Sequence, residues 1–133
     1  MGMPLAAQGD AVVGVDTHVV LVPTAGGPVP TPLPHPFSGR LDGALAATVK
    51  VGGMAAATLD STASNQPPHI PTPPGVSFQT PPANRGTVHL GSATVKIAGK
   101  AAARAGDPVR TCNDPADAPV GSIVAARTVL VGG

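Results

Sequence analysis

The stretch Thr94–Asp107 reads T-V-K-I-A-G-K-A-A-A-R-A-G-D, and Thr48–Asp60 reads T-V-K-V-G-G-M-A-A-A-T-L-D. β-Branched alternation, a Gly-bearing step, three alanines and an aspartate recur in the same order. A third copy emerges only when the termini are joined. Thr128-Val129-Leu130-Val131-Gly132-Gly133 supplies its first part and Pro4-Leu5-Ala6-Ala7-Gln8-Gly9-Asp10 its second. A repeat split across the chain ends predicts three similar units closed around a pseudo-threefold axis, with the first and last strands side by side.

Composition supports short strands joined by turns. The chain has 133 residues and reads as a single domain, 1–133, with two Phe, no Trp and no Tyr. Little bulky apolar material is available for a core, so a second source of stability is expected. Gly and Pro stand at 17 each, well above average usage of about 7% and 5%, and Val suits a pleated, half-buried surface. The net charge of +1 comes from scattered Lys and Arg, without the basic patch of a nucleic-acid binder. Every acidic residue is Asp, which removes H-E-x-x-H chemistry and any Glu general acid or base. No secretion-type leader and no apolar run of about 18 residues appears, so synthesis as a soluble cytoplasmic chain is expected. The one cysteine, Cys112, excludes an internal disulfide and leaves a metal, oligomerisation or a partner as the staple.

Apart from Pro4, the prolines fall in three groups, Pro23–Pro36, Pro67–Pro82 and Pro108–Pro119. Proline removes a ladder donor, so these are expected to be loops, with paired strands between them at about 37–66, 83–107 and 120–133. Gly52-Gly53, Ala98-Gly99 and Gly132-Gly133 are expected to be hairpin turns, and Gly9-Asp10, Leu59-Asp60 and Gly106-Asp107 to be equivalent strand-to-loop turns with the carboxylate accepting local N–H bonds. Ala55–Ala57 and Ala101–Ala103 also allow a short helical turn. With the hairpin turns at one end and the Pro loops at the other, the prediction is all-β: a small conical, three-sided β-prism of short hairpins with the long loops at its apex.

Those loops carry His18 and His35, His69, and Cys112, at least one from each sector. Three imidazoles and a thiolate suit tetrahedral zinc, and four protein ligands would close the site to substrate water, which implies a structural Zn2+. Such an ion offsets the ordering of loops that bury little apolar surface. His89 lies in a strand pattern and is left out of the set. Phe37 and Phe78 are expected to anchor loops to the body. Val95–Lys100 fails as a phosphate loop, because Thr94 and Ala101 stand where Gly and Ser or Thr are required.

The segment 95–107, with weaker copies at 49–60 and across the termini, resembles the PAAR-repeat proteins, the conical tips of contractile injection machines such as type VI secretion systems, phage spikes and extracellular injection particles. The resemblance implies a cone of hairpins, a zinc near its vertex held by three His and one Cys, and a flat base seated on a trimeric, VgrG-like β-helical spike. Carried over, the ligands are His18, His35, His69 and Cys112. The chain departs from the pattern in three places: His18 lies eight residues beyond Asp10, the second unit has Leu59-Asp60, and no His follows Cys112 in its loop.

The expected role is mechanical. The protein, itself a monomer, caps and sharpens a trimeric spike for puncturing a target envelope, making transient contact with the target membrane. It would be assembled in the bacterial cytoplasm and then delivered with the particle outside or into the target cell. Effectors are possible partners, and any toxin is expected to be bound noncovalently or to travel elsewhere in the spike, since no extra domain is expected before Met1 or after Gly133. Two other readings stand beside it: a small zinc-dependent hydrolase with water as the fourth ligand, and a Pro-rich adaptor recognised through Pro71-Thr72-Pro73-Pro74.

Overall fold

A computed structural model describes residues 2–132. The chain is all-β. Its strands are β1 (Met3–Pro4), β2 (Ala11–Val22), β3 (Val29–Gly43), β4 (Ala46–Val51), β5 (Met54–Ala56), β6 (Thr62–Asn65), β7 (Ser77–Phe78), β8 (Arg85–Val88), β9 (Lys96–Ile97), β10 (Lys100–Ala101), β11 (Pro108–Thr111), β12 (Ala118–Val124) and β13 (Leu130–Val131). Six of them close on themselves: β2–β3, β6–β8 and β11–β12 pair within units, and β3–β6, β8–β11 and β12–β2 pair between units. All six contacts are antiparallel. The closed ring therefore has no free edge along its shared length.

Below this ring sit three small two-stranded hairpins, β4–β5, β9–β10 and β13–β1. Equivalent pairs are Val51↔Met54, Ile97↔Lys100 and Val131↔Met3, so the third hairpin is made from the two ends of the chain, as the split repeat requires. Gly52 and Gly53 have φ of 57° and 84°, and Ala98 and Gly99 of 50° and 82°. Positive φ at both central residues is the primed turn that matches strand twist. The corresponding Gly132-Gly133 turn includes Gly133, which lies outside the described residues.

The threefold relation is most explicit in backbone hydrogen bonds. Ala6 N–H donates to Ala103 O, Ala103 N–H to Ala57 O, and Ala57 N–H to Ala6 O, at 2.9, 3.0 and 2.9 Å. A second cycle joins Gln8 to Ala55, Leu59 to Ala101 and Ala105 to Pro4, each at 2.8 Å. The three alanines are fully buried, and only a small side chain lets three backbones approach one axis. The alanine triplets are thus strand and bridge, not a helical turn, because their amides are committed to neighbouring units.

These cycles also correct the register read for the aspartate turns. The equivalent carbonyl-to-amide turns are Ala7 to Asp10, Thr58 to Ser61 and Arg104 to Asp107. In each, the last side chain accepts the N–H of the first: Asp10 Oδ2 from Ala7 at 2.8 Å, Ser61 Oγ from Thr58 at 3.0 Å, and Asp107 Oδ2 from Arg104 at 2.7 Å. Ser61, not Asp60, is the counterpart of Asp10. Asp60 has φ of 73° and matches Gly9 and Gly106, at 87° and 85°. Asp tolerates that left-handed conformation better than most residues, which is why it substitutes for Gly there.

The proline map needs a second correction. Pro30, Pro32, Pro34 and Pro36 are not in a loop but inside β3, paired with Leu21, Val19, Thr17 and Val15 of β2. Their spacing of two turns all four nitrogens to the same edge, and β3 meets β6 only from Gly39 onward. The missing donors therefore face an edge with no ladder, where Pro costs nothing. Pro108 opens β11, and Pro119 lies in β12 before its contact with β2 begins at Ser122. The β2–β3 hairpin consequently extends beyond the closed ring, with β7 covering Val20 and Leu21.

The core is built in two parts. Ala6, Val12, Phe37, Leu41, Ala57, Ala63, Val88, Ala103, Val109, Cys112 and Ile123 fill the ring. Leu5, Ala7, Ala46, Val51, Ala56, Ala102 and Val131 sit among the hairpins. Phe37, 2% exposed, is the one bulky aromatic in the core. Among the described residues no helix is long and apolar enough to cross a membrane.

Candidate metal centre

The far end of the ring, away from the alanine cycles, collects the titratable side chains. β2 carries Asp16 and His18 two residues apart, and alternation along a strand turns both inward. Cys112 follows β11 directly, and His69 lies in the segment between β6 and β8. Donor atoms of Asp16, His18, His69 and Cys112 all lie within 4.8 Å of one another.

His69 is held from both sides. Its N–H donates to Asn84 Oδ1 at 2.7 Å, the same oxygen that accepts from Asn65 Nδ2 at 3.1 Å, while Asn65 Oδ1 accepts the Ser38 amide at 2.9 Å. Its ring Nε2 lies 2.8 Å from Asp16 Oδ2. The edge of β2 next to His18 is closed by the chain after Cys112. Thr17 N–H donates to Asn113 Oδ1 at 2.6 Å, Asp114 N–H to Thr17 O at 2.8 Å, and Val19 N–H to Asp114 Oδ2 at 2.9 Å.

Asp16 was not singled out by sequence reasoning, although D-x-H on a strand places carboxylate and imidazole on one face. It is fully buried. The Thr111 hydroxyl and Asn113 Nδ2 donate to its Oδ1, and Cys112 Sγ lies 3.5 Å from its Oδ2. Burial and the neighbouring Asp16 carboxylate push the Cys112 thiol up to about 11, so without an ion this cysteine is a protonated thiol, not a nucleophile.

His18 is the decisive group. It is 1% exposed, and neither ring nitrogen has a hydrogen-bond partner. The nearest carboxylate oxygens, Asp114 Oδ2 at 3.5 Å and Asp16 Oδ2 at 4.0 Å, do not meet it in hydrogen-bonding geometry. A buried imidazole left so costs on the order of 1–3 kcal/mol unless something binds it. A metal ion held by this cluster would remove that cost.

His35 is close but differently engaged. Its ring centroid stands 5.4 Å from that of His18 and 5.6 Å from that of His69. Nδ1 lies 2.9 Å from Leu33 O, which can only accept, and Nε2 lies 3.0 Å from the Thr72 amide, which can only donate. His35 is therefore the neutral Nδ1–H tautomer with both nitrogens used. Burial lowers its pKa, opposed in part by the hydrogen bond to the Leu33 carbonyl, with smaller lowering contributions from the neighbouring His18 and His69. His89 lies one residue beyond β8 and its N–H donates to Pro108 O. It is not among the clustered donors. Phe78 does more than anchor its segment: its ring lies 5.8 Å from His18 and 5.3 Å from His35 and lids the imidazoles.

Residues 79–133 match the PAAR motif. The chain carries a PAAR motif in its C-terminal part. The match contains Cys112, the 95–107 segment and the C-terminal strand of the split repeat; the alanine cycles extend the same unit to the rest of the chain. No curated protein matches it.

Proposed function

We propose that this PAAR-motif protein is the structural tip of a contractile injection machine, seated by its hairpin end on a trimeric, VgrG-like spike. The observation that carries the reading is the pair of cyclic hydrogen-bond sets around Ala6, Ala57 and Ala103. They make one chain present three similar edges, as three identical partner chains require. The hairpin end also exposes Met3, Val49, Val129 and Leu130, apolar residues suited to burial by added strands.

At the opposite end a Zn2+ clamps the tip. His18, His69 and Cys112 are proposed to hold it, with His35 beside them, and imidazole with thiolate is the donor chemistry of zinc. When bound, the ion supplies a cross-link between β2, the segment after β6 and the segment after β11. The protein's own residues do the rest: Phe78 and the buried strands exclude water, and Asn84 and Asp114 fix the backbone beside the ligands. The role is structural, consistent with a spike-tip family and with donor side chains at most 3% exposed. Assembly in the cytoplasm, delivery outside the cell and brief contact with a target envelope follow from that role.

The test is reconstitution with a purified trimeric β-helical spike. One chain per three spike subunits is expected, with binding lost in Val49→Asp and Leu130→Asp. A stoichiometry of one chain per subunit, or binding that survives both changes, refutes the cap.

A further inference from the structure

Resting on the metal reading above, we propose that Asp16, and not His35, supplies the fourth donor to the ion. Asp16 Oδ2 lies 2.8 Å from His69 Nε2, 3.5 Å from Cys112 Sγ and 4.0 Å from His18 Nε2. A tetrahedral ion with bonds of about 2.0–2.1 Å to nitrogen or oxygen and 2.3 Å to sulfur sets donors about 3.3–3.6 Å apart. The three distances bracket that range, so Asp16 stands at a corner of the cluster.

Charge argues the same way. Asp16 is fully buried, and no Lys or Arg among the described residues forms an ion pair with it. Its pair partners are His18 and His69, imidazoles that are neutral where they hold a metal. A divalent ion balances Asp16 and the Cys112 thiolate, leaving a neutral centre.

His35, in contrast, has no free nitrogen. Taking it as a ligand would strip the Thr72 N–H of its acceptor, and a buried orphan amide is costly. His35 instead ties the Pro71–Pro73 segment to β3, since the Thr72 hydroxyl also donates to Pro34 O at 2.8 Å. It forms a wall of the groove of about 400 Å³ between that segment and β3. Its work is to position the segment that carries His69.

X-ray absorption on the zinc-loaded full chain tests this, with zinc alone as the probe. The wild type is expected to show one sulfur at about 2.3 Å and two imidazoles, not three. Asp16→Cys is expected to raise the sulfur count to two and strengthen the thiolate-to-metal band of the cobalt form, a gain that no merely structural role produces. His35→Gln is expected to retain one ion per chain with the same shells. Three imidazoles in the wild type, or loss of the ion in His35→Gln with a single sulfur in Asp16→Cys, overturns the assignment while leaving the clamp in place. A wild type that takes up no zinc overturns both. Should Asp16→Cys fail to fold, the wild-type imidazole count decides alone.

Discussion

Replacing Ser61 should damage the fold far more than replacing Asp60, although the repeat as written in the sequence points to the aspartate. Ser61 is fully buried, and its hydroxyl accepts the Thr58 N–H at 3.0 Å and donates to Ala44 O at 2.9 Å. Ser61→Ala leaves a donor and an acceptor without partners, each costing about 1–2 kcal/mol, for a loss of about 2–4 kcal/mol. Asp60 has a side chain 58% exposed and lies 3.6 Å from the exposed Lys100 ammonium, an ion pair worth less than about 1 kcal/mol. Its φ of 73° favours Gly, so Asp60→Gly relieves roughly 0.5–1 kcal/mol of strain and falls within about 0.5 kcal/mol of neutral. Urea unfolding of both variants, with a shared slope, gives the comparison directly. A midpoint lowered more by Asp60→Gly than by Ser61→Ala would refute the threefold register drawn from the hydrogen-bond cycles.

Other expectations follow the same logic. Arg127 joins the chain ends by donating to Asp10 from Nε and Nη2, both at 2.9 Å, and to Gln8 O at 3.2 Å; Arg127→Ala should cost about 2 kcal/mol in urea unfolding. A Cβ at Gly39 would stand 2.7 Å from Ser64 O and 2.9 Å from Phe37 Cε1, so Gly39→Ala should lose about 1–3 kcal/mol by overpacking, read as a lowered melting temperature. The metal-free Cys112 thiol sits at about 11 when folded against 9.0 otherwise. Its folded value is the higher, so its contribution is intact below pH 9 and falls as pH rises toward 11. Cys112→Ser should flatten that alkaline loss in metal-free unfolding curves. His35 has the opposite sign: its lowered pKa keeps the folded form neutral, so the unfolded chain takes protons first and stability declines as pH drops below about 6.5. His35→Gln should remove part of that acid sensitivity.

The closed threefold arrangement was legible in the sequence because the repeats carry it: T-V-K, the Gly step and the alanines at 48–57 and 94–103 are the hairpins and axis themselves. Three of the four metal candidates were legible from residue type alone. What could not be read was register and side-chain satisfaction. The written motif aligns Asp60 with Asp10, and only the turn bonds show that Ser61 holds that place. Proline at alternate positions looked like a loop because local chemistry does not say whether a strand edge will be paired. Asp16 was missed because a single D-x-H step in a Val-rich strand does not say what folds over it. His35 looked equivalent to His18 until the Leu33 carbonyl and Thr72 amide were found on its nitrogens.

The metal content of the purified chain tests the central claim most directly, by elemental analysis of the wild type beside Cys112→Ser, His18→Ala and His89→Ala. One zinc per chain in the wild type and in His89→Ala is predicted, with loss in the other two and a lower melting temperature on chelation. A metal-free wild type of undiminished thermal stability, or zinc retained without both Cys112 and His18, would contradict an ion-clamped tip.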